Sequence, residues 1–229
     1  MKIEQCEFSI IILNWNLAEY TKKCIESIVK YTKDVDYEII LVDNGSTEQA
    51  SLEMLAPYEK NSLINVVRNK ENFRVAKGNN IGFREANGKY LLMLNNDTEI
   101  KSENWFVHAI RLFQHDWTIG LIGAAGGYHD KNLKHLASFS ATKLQTVEYA
   151  EGWCLWIRKQ VYEKIGGLDE SFYLFCEDSD FCFSAKKLGY KVVILPHNIV
   201  HFGGKTHKKK PEILKLSKDS SHKPQQKWG

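Results

Sequence analysis

Three short apolar runs each end in a polar cluster, and this pattern limits the fold more than any other feature of the chain. Residues 8–13 run into Asn14-Trp15-Asn16, residues 37–42 into Asp43-Asn44-Gly45-Ser46, and residues 89–94 into Asn95-Asn96-Asp97. Short, near-continuous apolar runs separated by helical patterns read as buried parallel strands. In open parallel sheets, ligands bind outside the carboxyl ends of the strands. Asp43 and Asp97 therefore stand where a site would be built.

The segments between these runs carry helical spacing over residues 17–31, 49–58 and 76–86, with a further strand at 63–67. The resulting βαβαβαβ order predicts a doubly wound, mostly parallel α/β sheet flanked by helices. A helix is expected over 102–114 with Ser102 as its N-cap, then a strand at 119–122. From about residue 128 the pattern turns irregular, with strand-like pieces at 136–140 and 153–157. Helices at 160–165 and from Glu177 through Leu188, and a strand at 191–195, complete the reading. One domain is expected over 1–204, with a nucleotide-binding half (1–100) and a smaller acceptor-side, catalytic half (101–204), followed by a basic tail over 205–229.

Bulk properties narrow the class. At 229 residues, 43% hydrophobic and 26% charged, the chain can bury one good core. No apolar run approaches the roughly 20 residues needed to span a bilayer. The N-terminus carries acids where a signal peptide is basic, so a cytoplasmic protein is expected. Its five cysteines form no CxxC pair and read as reduced thiols. The net charge of +3 divides unevenly: the tail holds eight lysines against Glu212 and Asp219, a net +6, leaving −3 elsewhere. Such a tail is either solvated or a peripheral contact with the inner face of a membrane. No recognition motif for nucleic acid accompanies it.

Several polar positions have two readings each. Asp43 is either a turn former or an acceptor for a ribose or base. Asn95-Asn96-Asp97 either caps a following helix or offers oxygen ligands to a hard divalent cation. His201 precedes Gly203-Gly204 and is either structural or a ligand. Glu177-Asp178-Ser179-Asp180 either complements a helix dipole or, behind the aromatic run at 172–175, supplies a general base in a partly desolvated pocket. Walker-type and GxGxxG sequences are absent, which argues against a P-loop NTPase or a nicotinamide-dependent oxidoreductase.

Taken in order, these stretches resemble the inverting glycosyltransferases of family 2, which have the GT-A fold, and within them the rhamnosyltransferase-like branch. The markers are the 9–16 run, Val42-Asp43-Asn44-Gly45-Ser46-Thr47, Glu71-Asn72 through Gly82, Leu94-Asn95-Asn96-Asp97-Thr98, Gly166-Gly167-Leu168-Asp169-Glu170, Glu177-Asp178-Ser179-Asp180, Gly189-Tyr190 and Val200-His201. The resemblance covers about residues 7–204. It implies transfer of a sugar from a UDP- or dTDP-sugar, with rhamnose one candidate, to a hydroxyl of a glycan or lipid-linked acceptor in surface polysaccharide or glycoconjugate synthesis. It also implies a role for each matched residue. Asn14, Asp43, Asn44, Arg74, Asn80, Asn95 and Asn96 would contact the nucleotide. Asp97 and His201 would bind Mn²⁺ or Mg²⁺. Asp178 would be the general base, with Glu177 supporting it or contacting the acceptor, and Gly152 and Trp153 would line the sugar and acceptor pocket. Asn95 stands where the family's DxD region has its first Asp, which removes one charge from the metal set. Arg74 replaces a glycine common in relatives and is either a phosphate contact or a surface change. A nucleotide-sugar-binding domain without turnover, part of a larger complex, is the competing reading.

Overall fold

A computed structural model describes residues 6–103, 105–129, 135–172, 175–203 and 223–228. The four runs of the first half form β1 (Phe8–Asn14), β2 (Tyr37–Asp43), β3 (Ile64–Arg68) and β4 (Tyr90–Asn95), with α1 (Ala18–Tyr31), α2 (Gln49–Tyr58) and α3 (Arg74–Glu85) between them. A short β5 (Thr98–Ile100) follows, then α4 (Val107–His115) and β6 (Ile119–Gly123). The irregular region holds β7 (Ala125–His129), β8 (His135–Ser140), β9 (Gln145–Thr146), β10 (Tyr149–Ala150) and β11 (Cys154–Arg158). Last come α5 (Lys159–Ile165), α6 (Glu177–Lys187), β12 (Lys191–Ile194), β13 (Ile199–His201) and α7 (Lys223–Trp228).

Eight strands form one sheet in the order β3-β2-β1-β4-β11-β6-β12-β9. The first four are mutually parallel, and β11 enters antiparallel between β4 and β6. The doubly wound, mostly parallel expectation therefore holds. Because side chains alternate across a strand, the sheet carries a core on each face. Ile10, Ile12, Ile39, Leu41, Leu92 and Leu94 pack with α1, α2 and α4. Ile11, Ile40, Val42, Leu91 and Met93 pack with α3, α5 and α6. Burying each such side chain stabilises the fold by about 1.5–3 kcal/mol, which is why β1, with three wholly buried isoleucines in a row, sits inside the sheet.

The remaining strands build the rim of the site. β10, β7 and β8 form a separate three-stranded antiparallel sheet, and β13 pairs antiparallel with β5. Two expectations change. The helix predicted at 102–114 begins only at Val107, without a side-chain cap. The Ser102 hydroxyl instead accepts a bond from Asn198 Nδ2 at 3.2 Å, tying this corner to the strand after β12. The tail, expected to be solvated or membrane-bound, includes the short α7, which docks on α6 through Lys227 and Trp228. The rest of the tail's lysine-rich stretch, residues 205–222, lies outside the described residues, as do Tyr173 and Leu174 of the aromatic run. All five cysteines are free, and among the described residues no helix is long and apolar enough to cross a membrane.

Candidate active site

Strand register brings the first polar cluster together. Asn14 lies level with Asp43, and Leu13 with Asn95, at the carboxyl ends of β1, β2 and β4. Asn14 Nδ2 donates to Asp43 Oδ1 at 2.9 Å and to Ser46 Oγ at 3.1 Å. Thr21, in the first turns of α1, donates to Asn14 Oδ1 at 2.7 Å and accepts from Asn96 Nδ2 at 2.8 Å. One continuous chain of hydrogen bonds thus joins Asp43, Asn14, Thr21 and Asn96 across three strand ends, all of them nearly buried. Buried polar groups must be satisfied, so this network fixes each rotamer. The bonds to Asp43 from the described side chains converge on Oδ1, leaving Oδ2 as a spare acceptor.

Asn44 and Asn80 are engaged with protein. Asn44 Nδ2 donates to Asn72 Oδ1 and the Arg74 carbonyl, while its Oδ1 accepts from Asn69 and the Phe73 amide. It shapes the loop that delivers Arg74, the left-handed first residue of α3 (φ 68°). Close approach is required here: a Cβ on Gly45 would meet the Glu71 backbone at 2.6 Å. Asn80 Nδ2 donates to the Leu168 carbonyl and Glu170, and its Oδ1 accepts from the Leu168 amide at 2.9 Å. It anchors the loop that leads to α6.

Asp97 and His201 meet through the β5–β13 pairing, which sets His201 opposite Thr98. His201 Nε2 is 3.2 Å from Asp97 Oδ1 and 3.5 Å from the exposed Asn95 amide. The imidazole stacks on Trp153, with centroids 4.7 Å apart and planes 14° apart. Among the described residues no group of three or more His, Cys, Asp or Glu side chains forms a metal cluster. The pair nevertheless fits a cation that keeps most of its shell for phosphate oxygens and water, because Mg²⁺ and Mn²⁺ sites commonly take one or two carboxylates with substrate oxygens.

Trp153 continues into the third cluster. Its carbonyl accepts the Asn95 amide at 2.8 Å, and its Nε1 donates to Glu151 at 2.7 Å. Between them, the Gly152 amide donates to Asp178 Oδ2 at 2.8 Å, while the Ser179 amide donates to Oδ1 at 2.7 Å. Asp178 is partly buried at the start of α6. Desolvation raises its pKa above the usual carboxylate range; the Gly152 and Ser179 amides pull it down, and the charge of Glu151 pushes it up. Glu177 is buried, its Oε2 has no hydrogen-bond partner, and desolvation together with Asp178 pushes it up to about 8.

A cavity of about 370 Å³ opens beside these groups, lined by Glu151, Trp153, His197, His201 and the β8 residues Ser138 to Ser140, with Ala125 and Ile199. An aromatic face with a few polar groups is the usual character of a small-molecule site. His197 Nε2 is buried without a hydrogen bond, and burial lowers the pKa of the ring. Sequence reasoning missed Thr21, Glu151 and His197. Only Glu151, adjacent to Gly152, carried any sequence signal.

Comparison with known proteins identifies the family and the fold. The sequence profile of Glycosyl transferase family 2 matches residues 9–166. The chain is 27% identical over 212 residues to the low-salt glycan biosynthesis hexosyltransferase Agl10 of Haloferax volcanii, an alignment covering 79% of this chain and 62% of that protein. Its fold is similar to that of GalNAc-T7 in a crystal structure with UDP, GalNAc and Mn²⁺ (TM-score 0.75, 19% identity, 87% of this chain and 44% of that one). It is also similar to the mannosyltransferase PcManGT of Pyrobaculum calidifontis in complex with GDP-Man and Mn²⁺ (TM-score 0.67, 16% identity, 86% and 56%). The chain therefore spans less than two thirds of each of these relatives. It belongs to glycosyl transferase family 2 and has the GT-A fold.

Proposed function

We propose that this family 2 chain is an inverting glycosyltransferase that moves a sugar from a nucleoside diphosphate sugar to a hydroxyl of a glycan or lipid-linked acceptor. The donor is a UDP- or dTDP-sugar, with rhamnose one candidate, and the product serves surface polysaccharide or glycoconjugate synthesis. One observation carries the reading. A continuous line of contacts runs from Asp178 through Gly152 and Trp153 to His201 and Asp97. This line would set a held carboxylate beside a diphosphate-and-metal position, next to the Asp43–Asn14–Asn96 network.

In this mechanism the free Oδ2 of Asp43 accepts from the base or ribose, with Asn14 and Asn96 orienting the nucleoside side of the cleft. Asn44 shapes the loop that presents Arg74 to the diphosphate, and Asn80 holds the opposite wall. Asn95 faces the ribose. Asp97 and His201 would hold Mn²⁺ or Mg²⁺, a Lewis acid that offsets charge on the leaving diphosphate. Trp153 and Gly152 border the sugar. Asp178 takes the proton of the acceptor hydroxyl as that oxygen attacks the anomeric carbon from the face opposite the leaving group, so the configuration inverts. The transition state has oxocarbenium character, as in glycosidases. The Gly152 and Ser179 amides hold both carboxylate oxygens of Asp178, and its desolvation favours uptake of a proton. Glu177, buried and next to it in the chain, supports it or contacts the acceptor.

The reading sets the reaction in the cytoplasm, with the lysines of 205–218 offering a peripheral contact to an anionic inner membrane face. The test is thermal stability with UDP, dTDP and GDP, each with and without Mn²⁺. A ligand at 100 times its Kd adds about 2.7 kcal/mol to the folded state. A Mn²⁺-dependent rise with one nucleotide is expected. No rise with any of them would count against a nucleotide donor site altogether, and hydrolysis of the donor separates a transferase from a domain that binds it without turnover.

A further inference from the structure

The segment that delivers Asp178 is strained and is stapled at its two stems. Phe175 and Cys176, immediately before α6, both adopt left-handed backbone (φ 66° and 69°), which non-glycine residues rarely do. Such conformations persist where the surroundings hold them. Besides Asn80, which anchors the start of this segment, contacts from α7 bridge its two ends. Lys227 Nζ lies 2.8 Å from Asp169 Oδ2 and 2.9 Å from Asp180. Trp228 Nε1 donates to Asp180 Oδ1 at 2.8 Å. Asp169 stands after α5 and Asp180 in the first turn of α6, so one ammonium closes both ends of the 169–180 segment.

Asp180 is 2% exposed, and its carboxylate receives hydrogen bonds from no other described residue. Without Lys227 a buried carboxylate would be left uncompensated and close to a second acid, which destabilises the arrangement that buried it. Packing adds to the contact: Trp228 lies 6.2 Å from the Phe183 ring, and the Lys227 ammonium 5.9 Å from the buried Phe172. Burial alone would raise Asp169, yet its bonds to Lys227 and Ser171 bring it down to about 2.

We infer that Lys227 and Trp228 are positioning residues: they latch the 169–180 segment so that Asp178 stays on the Gly152 amide. Their catalytic consequence rests on the transferase reading, whereas the latch itself does not. A carboxylate displaced by about 1 Å can cost 10²-fold in rate.

Two measurements on the full chain test this. Hydrogen exchange reports the amides of residues 175–181 in Lys227→Met, Lys227→Arg and Trp228→Phe, the last removing the indole N–H while keeping an aromatic ring. Release of nucleoside diphosphate from the UDP-, dTDP- or GDP-sugar that the wild type hydrolyses reports kcat and donor KM. Faster exchange confined to 175–181 is expected in Lys227→Met and, less so, in Trp228→Phe. With it, kcat falls by about 10- to 10²-fold at unchanged donor KM. Lys227→Arg, which can also bridge two carboxylates, restores both. Unchanged exchange in Lys227→Met and Trp228→Phe, exchange that quickens throughout the chain, or faster local exchange with wild-type kcat would each overturn the inference. A wild type that hydrolyses no donor would count against the transferase reading, and the exchange data would still decide the latch.

Discussion

The Gly152 amide donates to Asp178 Oδ2 at 2.8 Å, so a glycine between two site residues holds the proposed base. Its lack of a side chain matters, because a Cβ there would meet Met93 Cε at 2.8 Å and Asp178 Cβ at 3.2 Å. The methionine tip can move aside; the aspartate cannot move without losing its bond. Gly152→Ala is therefore expected to cost about 1–3 kcal/mol in stability and to lower turnover more than donor affinity. Denaturant melts and nucleotide titrations separate the two effects, and unchanged turnover would mean that Asp178 does not depend on this contact.

Glu151 offers a pH test. Its charge helps raise Asp178, which must be ionised to accept a proton. Glu151→Gln keeps an acceptor for the Trp153 indole and removes the charge. The acid limb of the kcat/KM profile should shift to lower pH in the variant. An unmoved limb would separate the limb from Asp178.

Glu177 predicts a stability trend. Its folded pKa of about 8 lies above the ordinary 4.5. Between these values the folded state binds a proton that the unfolded state does not, so stability falls as pH rises through this window. The contribution is full below about 4.5 and gone above about 8. Glu177→Gln cannot titrate, and its Tm should decline less than that of the wild type across the window. Parallel Tm curves would contradict the buried, neutral Glu177.

Thr21 tests the strand-end network. Thr21→Val removes a hydroxyl that serves both Asn14 and Asn96, leaving two buried amide groups short of a partner. The expected cost is about 1–3 kcal/mol, with nucleotide affinity falling while any Asp178-dependent hydrolysis of bound donor persists. Equal affinity by calorimetry would remove the network from the donor site.

Much of this was legible in the sequence. The runs ending at Asn14, Asp43 and Asn95 gave the parallel strands, because full burial on both faces leaves a near-continuous apolar signature. The Asp97–His201 contact was legible only as two separate motifs. β5 and β13, which join them, have three residues each and depend on pairing across about a hundred residues of chain. The α4 start was misplaced for a related reason: Ser102 looked like a cap, but tertiary contact with Asn198 claims its hydroxyl. Thr21 and His197 are unremarkable in their local sequence, and α7 gave no sign that Lys227 would pair with two acids rather than face solvent.

The most direct test of the account is Asp178→Asn, assayed for sugar release from the donor whose nucleotide stabilises the wild type, and for that stabilisation itself. The account predicts a loss of roughly 10²–10⁴-fold in turnover with the nucleotide-dependent rise in Tm retained. Turnover near that of the wild type, or loss of the nucleotide effect along with activity, would contradict Asp178 as the base.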